Sequence, residues 1–199
     1  MKDFIAALRK YGAIVGSSFM LAIMKAGDWC PSDLDIVLPD HTSKPFETFV
    51  LSHGYLKDFE IRDRHDNDYP SRNAPTRHSF RYVCYRNSTK KIDLCYIHFP
   101  NRPASHILTY HSTAVMNFFD GWAIYCLFPN WTFAGQFAKN KYQISPSLRT
   151  IAAINKLRAR GFSEVAGSVQ EWFPEAVSQV DGFIDRSKLR TIWRHELSA

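Results

Sequence analysis

Three aspartates form the most chemically suggestive arrangement in this chain of 199 residues. Asp33 and Asp35 flank Leu34 just before Ile36, Val37 and Leu38, a short β-branched run of the kind that forms a strand. Side chains alternate across a strand, so two carboxylates separated by one residue share a face. Side by side they repel each other unless a cation lies between them. A hard divalent ion such as Mg²⁺ takes oxygen ligands of this kind, with phosphates and water completing its shell. Asp93 lies inside a second apolar run, Lys91 to Ile97. Its apolar neighbours predict a strand there as well.

Upstream, Gly12 to Gly16 predicts a short buried strand, with Gly16 and Ser17 as the tight turn that leaves it. A glycine at that point lets a phosphate approach the backbone. Ser17, Ser18 and the amides at the start of the next helix are the expected donors to it. In this order, a Gly-Ser turn, a helix, an Asp-x-Asp strand and a third aspartate, residues 12 to 97 resemble the signature of the nucleotidyltransferase superfamily that includes DNA polymerase β. The separation between Ser17 and Asp33 is longer than the compact members of that family use. The surplus, around Ala26 to Pro31, is expected to be a loop over the site.

The resemblance implies a metal-dependent enzyme that moves a nucleoside monophosphate from a nucleoside triphosphate to an acceptor hydroxyl and releases pyrophosphate. Mg²⁺ is the implied ion, with Mn²⁺ an alternative, and ATP the expected nucleotide. Asp33 and Asp35 would hold both ions, while Asp93 would serve the second ion and accept the hydroxyl proton. Related enzymes place a lysine on the triphosphate from the helix after the sheet, which here singles out Lys156 and, after it, Arg160. The alternative for these cations is a solvated helix face. Asn117, beside the polar cluster Tyr110 to Thr113, either reaches the sugar or triphosphate or belongs to a capped turn. The acceptor is expected to be a small molecule or an RNA end, with a protein side chain as a further class. A nucleotide-binding module of the same fold without turnover is the rival from another class.

The elements needed to position these groups follow from periodicity and punctuation. Helices are expected over Asp3 to Tyr11, over Phe19 to Lys25 with Phe19, Met20, Leu21, Ile23 and Met24 in the core, and from a Thr42 or Ser43 cap to Gly54. Strands are expected at Leu56 to Ile61, at Phe80 to Tyr85 and Lys91 to Phe99 as a hairpin that delivers Asp93, and at Gly121 to Leu127. The polar stretch from Arg62 to Ser79, with Arg62, Arg64, Arg72, Arg77 and His78, is expected to be surface disorder or a guide for a nucleic-acid acceptor. Beyond Trp131 a helix over Pro146 to Arg160 presents Leu148, Ile151, Ile154 and Leu157 as an apolar stripe, and shorter helical pieces follow around Val169 and Leu189. The expected fold is α+β. A mixed sheet of four to five strands with packed helices fills a catalytic core over residues 1–130, and residues 131–199 form a helical C-terminal region.

Composition narrows the setting. Hydrophobic residues at 45% and aromatics at 15% exclude a disordered chain and predict a core rich in rings. A formal net charge of +6 favours an anionic ligand. Cys30, Cys84, Cys95 and Cys126 are too scattered for a zinc site and fit reduced thiols in a cytoplasmic protein. No apolar run is long enough to span a membrane, so no membrane partner is expected.

Overall fold

The computed structural model describes residues 1–25, 29–61, 80–140, 148–176, 188–189 and 191–197. Helix α1, Lys2–Tyr11, buries Ala7 and Leu8, carries Asp3 in its first turn and Arg9 and Lys10 in its last. These charges complement the helix dipole. Gly12, at φ 61°, ends α1 in the left-handed conformation and returns its N–H to the Leu8 carbonyl. The chain then enters β1, Ile14–Gly16, turns directly into α2, Ser17–Lys25, and forms β2, Asp33–Pro39. After α3, Ser43–Ser52, come β3, Leu56–Ile61, and the antiparallel pair β4, Phe80–Arg86, and β5, Lys91–Ile97. The short helix α4, Pro103–Ile107, leads to the hairpin of β6, Asn117–Phe119, and β7, Ala123–Cys126. Helix α5, Pro129–Phe133, β8, Gln136–Lys139, α6, Leu148–Ala159, β9, Ser163–Ser168, α7, Val169–Trp172, and β10, Trp193–Glu196, follow.

The fold is α+β, built on a mixed eight-stranded sheet among the described residues, in the order β10-β7-β6-β1-β2-β5-β4-β3. Alternation along β2 and β5 divides the core. On one face Ile36, Leu38, Leu94 and Tyr96 pack with Leu8 of α1 and Phe46 and Val50 of α3. Tyr11 meets the Phe46 ring edge-on with centroids 5.9 Å apart, which fastens the two helices to each other. On the other face Val37, Cys95 and Ile97 pack with Ile107 and Leu108. Leu21 of α2 joins Phe137, Ile154 and Leu157 in a smaller cluster that ties α6 to this side.

The sheet is larger than the four to five strands expected, and the C-terminal part is not purely helical. β8 and β9 form a separate parallel pair, and β10 pairs with β7 at the edge of the main sheet. β9 and β10 left no period-two signal because they bury so little: all four residues of β10 are exposed, and β9 is mostly exposed and reads Ser-Glu-Val-Ala-Gly-Ser. Other local expectations shift too. Ile23 is 51% exposed rather than core. The buried positions of α6 are Thr150, Ile154 and Leu157, while Leu148 and Ile151 are exposed. Thr42 does not cap α3 with its side chain; its hydroxyl donates to the carbonyls of Pro39 and Tyr11. Among the described residues no helix is long and apolar enough to cross a membrane.

Leu94 is fully buried between two residues that carry the site face of β5, Asp93 and Cys95. Leu94→Ala should lower unfolding stability by about 2–5 kcal/mol, the range for a buried leucine truncated without collapse of its cavity. Urea denaturation followed by tryptophan fluorescence measures it, and a loss under about 1 kcal/mol would mean that the sheet repacks there.

Candidate active site

Pairing of the three central strands builds the site. β1 runs antiparallel to β2 with Ile14 opposite Val37 and Val15 opposite Ile36, which carries Gly16 and Ser17 to the end of β2 where Asp35 lies. β2 runs parallel to β5 with Asp33 beside Lys91 and Asp35 beside Asp93. Neighbouring residues in register point to the same side of a sheet. Asp33, Asp35, Lys91 and Asp93 therefore share one face, and the same face continues as apolar Val37, Cys95 and Ile97 toward the other end of the strands.

Ser17 is the first residue of α2 and has φ 62°, left-handed backbone in a residue with a side chain. That conformation costs about 1–2 kcal/mol in a non-glycine residue. The turn aims the Ser17 hydroxyl at Asp35, to which it hydrogen-bonds. Gly16 is closely packed: a Cβ there would lie 2.7 Å from Cδ1 of Ile107, which would have to shift, and 3.5 Å from the Asn117 carbonyl oxygen. Thus α4 and β6 press against the turn from behind while α2 leaves it in front.

The electrostatics are those of crowded carboxylates. Asp35 keeps some solvent access, but protein atoms ring its carboxyl. Burial first, and then the charges of Asp33 and Asp93, push its pKa up to about 7, against the opposing pull of the Ser17 hydrogen bond and the Lys91 charge. Asp93 is only 4% exposed. Its Oδ2 accepts from the Lys91 ammonium at 2.5 Å, and its Oδ1 has no hydrogen-bond partner among the described residues. Lys91 Nζ also lies 3.9 Å from Asp33 Oδ2. Burial opposes the charge on Lys91, but Asp93 outweighs it and holds the ammonium protonated. Across the β4–β5 ladder Cys84 stands opposite Asp93 and Tyr82 opposite Cys95. Burial, reinforced by Asp93, pushes the Cys84 thiol up to about 11 and raises the Tyr82 phenol as well, so both stay neutral.

The remaining residues singled out in the sequence fall in different places. Ser18 is half-buried in the first turn of α2. Arg160, just past the end of α6, is half-buried with its guanidinium 3.7 Å over the Trp29 ring, and it senses the charge of Asp33. Lys156, one turn earlier, is exposed. Asn117 is fully buried, and its Nδ2 donates to the Ala114 carbonyl at 2.7 Å. Its side chain offers no surface to a ligand. The polar stretch from Arg62 to Ser79 lies outside the described residues, as do 26–28 of the long loop and the first two residues of the helix expected from Pro146. Lys91 and Trp29 were not anticipated in the site. Lys91 was available from spacing, since it stands two residues before Asp93 on the same strand and shares its face; nothing in the sequence placed Trp29 under Arg160.

Among the described residues no group of three or more His, Cys, Asp or Glu side chains is placed so that it could hold a metal ion without rearrangement. The cation among the aspartates is the ammonium of Lys91. No model of a known protein family matches the chain, and no curated protein matches it.

The raised pKa of Asp35 makes a stability prediction with a definite sign. A folded carboxyl that holds its proton up to about 7 while the unfolded one releases it at 3.8 works against the fold once ionised. Its contribution to stability therefore falls as pH rises between those values and is level above them. Asp35→Asn should remove this slope and stabilise the metal-free protein at neutral pH by about 1–2 kcal/mol, discounted for the solvent that reaches the group. Denaturation in chelator on either side of that interval tests it; an Asn variant less stable than wild type at neutral pH would contradict it.

Proposed function

We propose that this chain is a divalent-metal-dependent nucleotidyltransferase that joins a nucleoside monophosphate from an NTP, with ATP the expected donor, to a hydroxyl of a small molecule or an RNA end. The observation that carries this reading is the parallel register of Asp35 with Asp93, beside a strained Ser17 turn hydrogen-bonded to Asp35. The donor set suits a hard cation: three carboxylates on one sheet face, mutually repulsive, one of them with a buried oxygen that lacks a hydrogen-bond partner among the described residues. Asp33, Asp35 and Asp93 would hold Mg²⁺ or Mn²⁺. Such an ion supplies charge neutralisation at the phosphates and acidifies a hydroxyl.

The protein's own contributions are orientation and proton handling. The Ser17 hydrogen bond fixes the Asp35 carboxylate. Asp93, with Cys84 opposite it on β4 and Tyr82 close by, would take the proton of an acceptor hydroxyl. Asp33, at the open end of β2, and Arg160 near it define the side from which a triphosphate would enter. The guanidinium, held over Trp29, would make a charge-assisted bond to a phosphate oxygen. We place the protein in the cytoplasm, which agrees with its four free thiols. The bridging Lys91 favours one second reading, a nucleotide-binding module without turnover, because it already supplies a cation to the carboxylates.

Each of the four labelled NTPs, incubated with Mg²⁺ and with cellular RNA or metabolite extracts, tests the reading. The expected result is label on an acceptor with release of pyrophosphate, reduced at least about a hundredfold by Asp35→Asn or Asp93→Asn. Mg²⁺-dependent NTP binding with no transfer to any acceptor would instead support the module. Arg160→Ala should raise KM for NTP about tenfold, since loss of one charge-assisted bond is worth on the order of 1.5–3 kcal/mol. Lys156→Ala reports separately on the exposed position one turn away.

A further inference from the structure

We infer that Lys91 is a tethered counter-cation that a divalent ion must displace, so that the site loads its metal together with a triphosphate rather than before it. The inference rests on the metal reading of the three aspartates and goes beyond it by assigning a positioning role to a residue outside the carboxylate set.

Lys91 stands directly beside Asp33 in the β2–β5 register and two residues before Asp93 on the same face. Its Nζ lies 2.5 Å from one oxygen of Asp93 and 3.9 Å from one of Asp33. A single ammonium thus draws together carboxylates contributed by two strands. It lies within 4 Å of Oδ2 of each carboxylate, so a cation shared by those two oxygens would compete with it for them. Ser32 approaches the remaining oxygen of Asp33, at 3.5 Å, and Asp93 Oδ1 has no partner among the described residues. One ammonium leaves three carboxylates with excess negative charge.

The geometry also gives Lys91 somewhere to go. It is the first residue of β5, next to the tight turn in which Asn87 Oδ1 accepts the backbone N–H groups of Thr89 and Lys90. Its side chain is 25% exposed, whereas that of Asp93 is 5%. The ammonium can swing outward on its flexible stem while the carboxylate stays in place. A bare ion gains the three carboxylates but must break the Lys91 contacts. An ion arriving with a triphosphate brings further oxygen ligands that offset that loss.

Mn²⁺ titrations followed by electron paramagnetic resonance at one fixed pH, on wild type, Lys91→Met and Asp93→Asn, test this. Lys91→Met keeps the stem and removes the charge, and should bind Mn²⁺ without nucleotide about tenfold or more tighter than wild type, the scale of one charge-assisted hydrogen bond. Wild type should approach that affinity only with a non-hydrolysable ATP analogue present. If Asp93→Asn loses Mn²⁺ while Lys91→Met binds it no tighter than wild type, Lys91 is not a competitor and this inference fails with the metal reading intact. If Asp93→Asn binds Mn²⁺ as wild type does with the analogue present, the metal reading fails and takes the inference with it. A readout on the unmutated side chain guards against a variant that does not fold: the Lys91 ammonium signal in ¹⁵N NMR, assigned with Lys91→Arg, should shift when Mg²⁺ and the analogue are added. An unmoved signal overturns the displacement.

Discussion

The parallel pairing of β2 with β5 is the constraint on which the rest of the structure depends. It sets Asp35 against Asp93 and Asp33 against Lys91 with the certainty of backbone hydrogen bonding, and alternation then leaves no choice of face. A slip of one residue would put Leu94 beside Asp35 and turn the carboxylates of the two strands to opposite sides. The buried layer beneath the site prevents this. Ile36, Leu38, Leu94 and Tyr96 must all face α1 and α3 at once, so the apolar packing of one face fixes the polar chemistry of the other. The repulsion among the carboxylates is thus imposed by the core and relieved locally by Ser17 and Lys91.

The Ser17 turn shows the same coupling from the other side of the sheet. Ile107 crowds Gly16, so that a side chain at this position would have to displace the end of the Ile107 side chain. The chain must then reverse into α2 within one residue, and Ser17 takes the left-handed conformation. Its hydroxyl recovers a hydrogen bond to Asp35 in return. The glycine at this turn lies against the protein's own packing at Ile107, and the serine after it lies beside the carboxylates.

Much of this was legible in the sequence, and the reasons are physical. Asp33 to Pro39 holds the buried apolar run Ile36, Val37 and Leu38, and Lys91 to Ile97 is buried at every residue after the first, which is a strong short-range strand signal. Gly12 marked the end of α1 because a left-handed cap there is easiest for glycine. The strands of the C-terminal part were illegible for the converse reason: β9 and β10 have no buried face whose period could be read. Sheet order was equally hidden, since β6 pairs with β1 across a long sequence separation and nothing local announces it. Within the site, the identities of the aspartates were readable but their neighbours were not. That Arg160 stacks on Trp29, and that Asn117 is sealed behind β1 with its amide on Ala114, depend on tertiary packing alone.

Anomalous diffraction from crystals grown with Mn²⁺ and a non-hydrolysable ATP analogue tests whether the face built by Asp33, Asp35 and Asp93 is a divalent-cation site, without reference to any acceptor. The expected result is an anomalous peak within coordination distance of oxygens from Asp35 and at least one of Asp33 and Asp93, about 2.0–2.3 Å away, with Lys91 turned from the place it holds between Asp33 and Asp93. Ordered nucleotide elsewhere on the protein, with no Mn²⁺ among the three carboxylates and the Lys91–Asp93 contact intact, would contradict it.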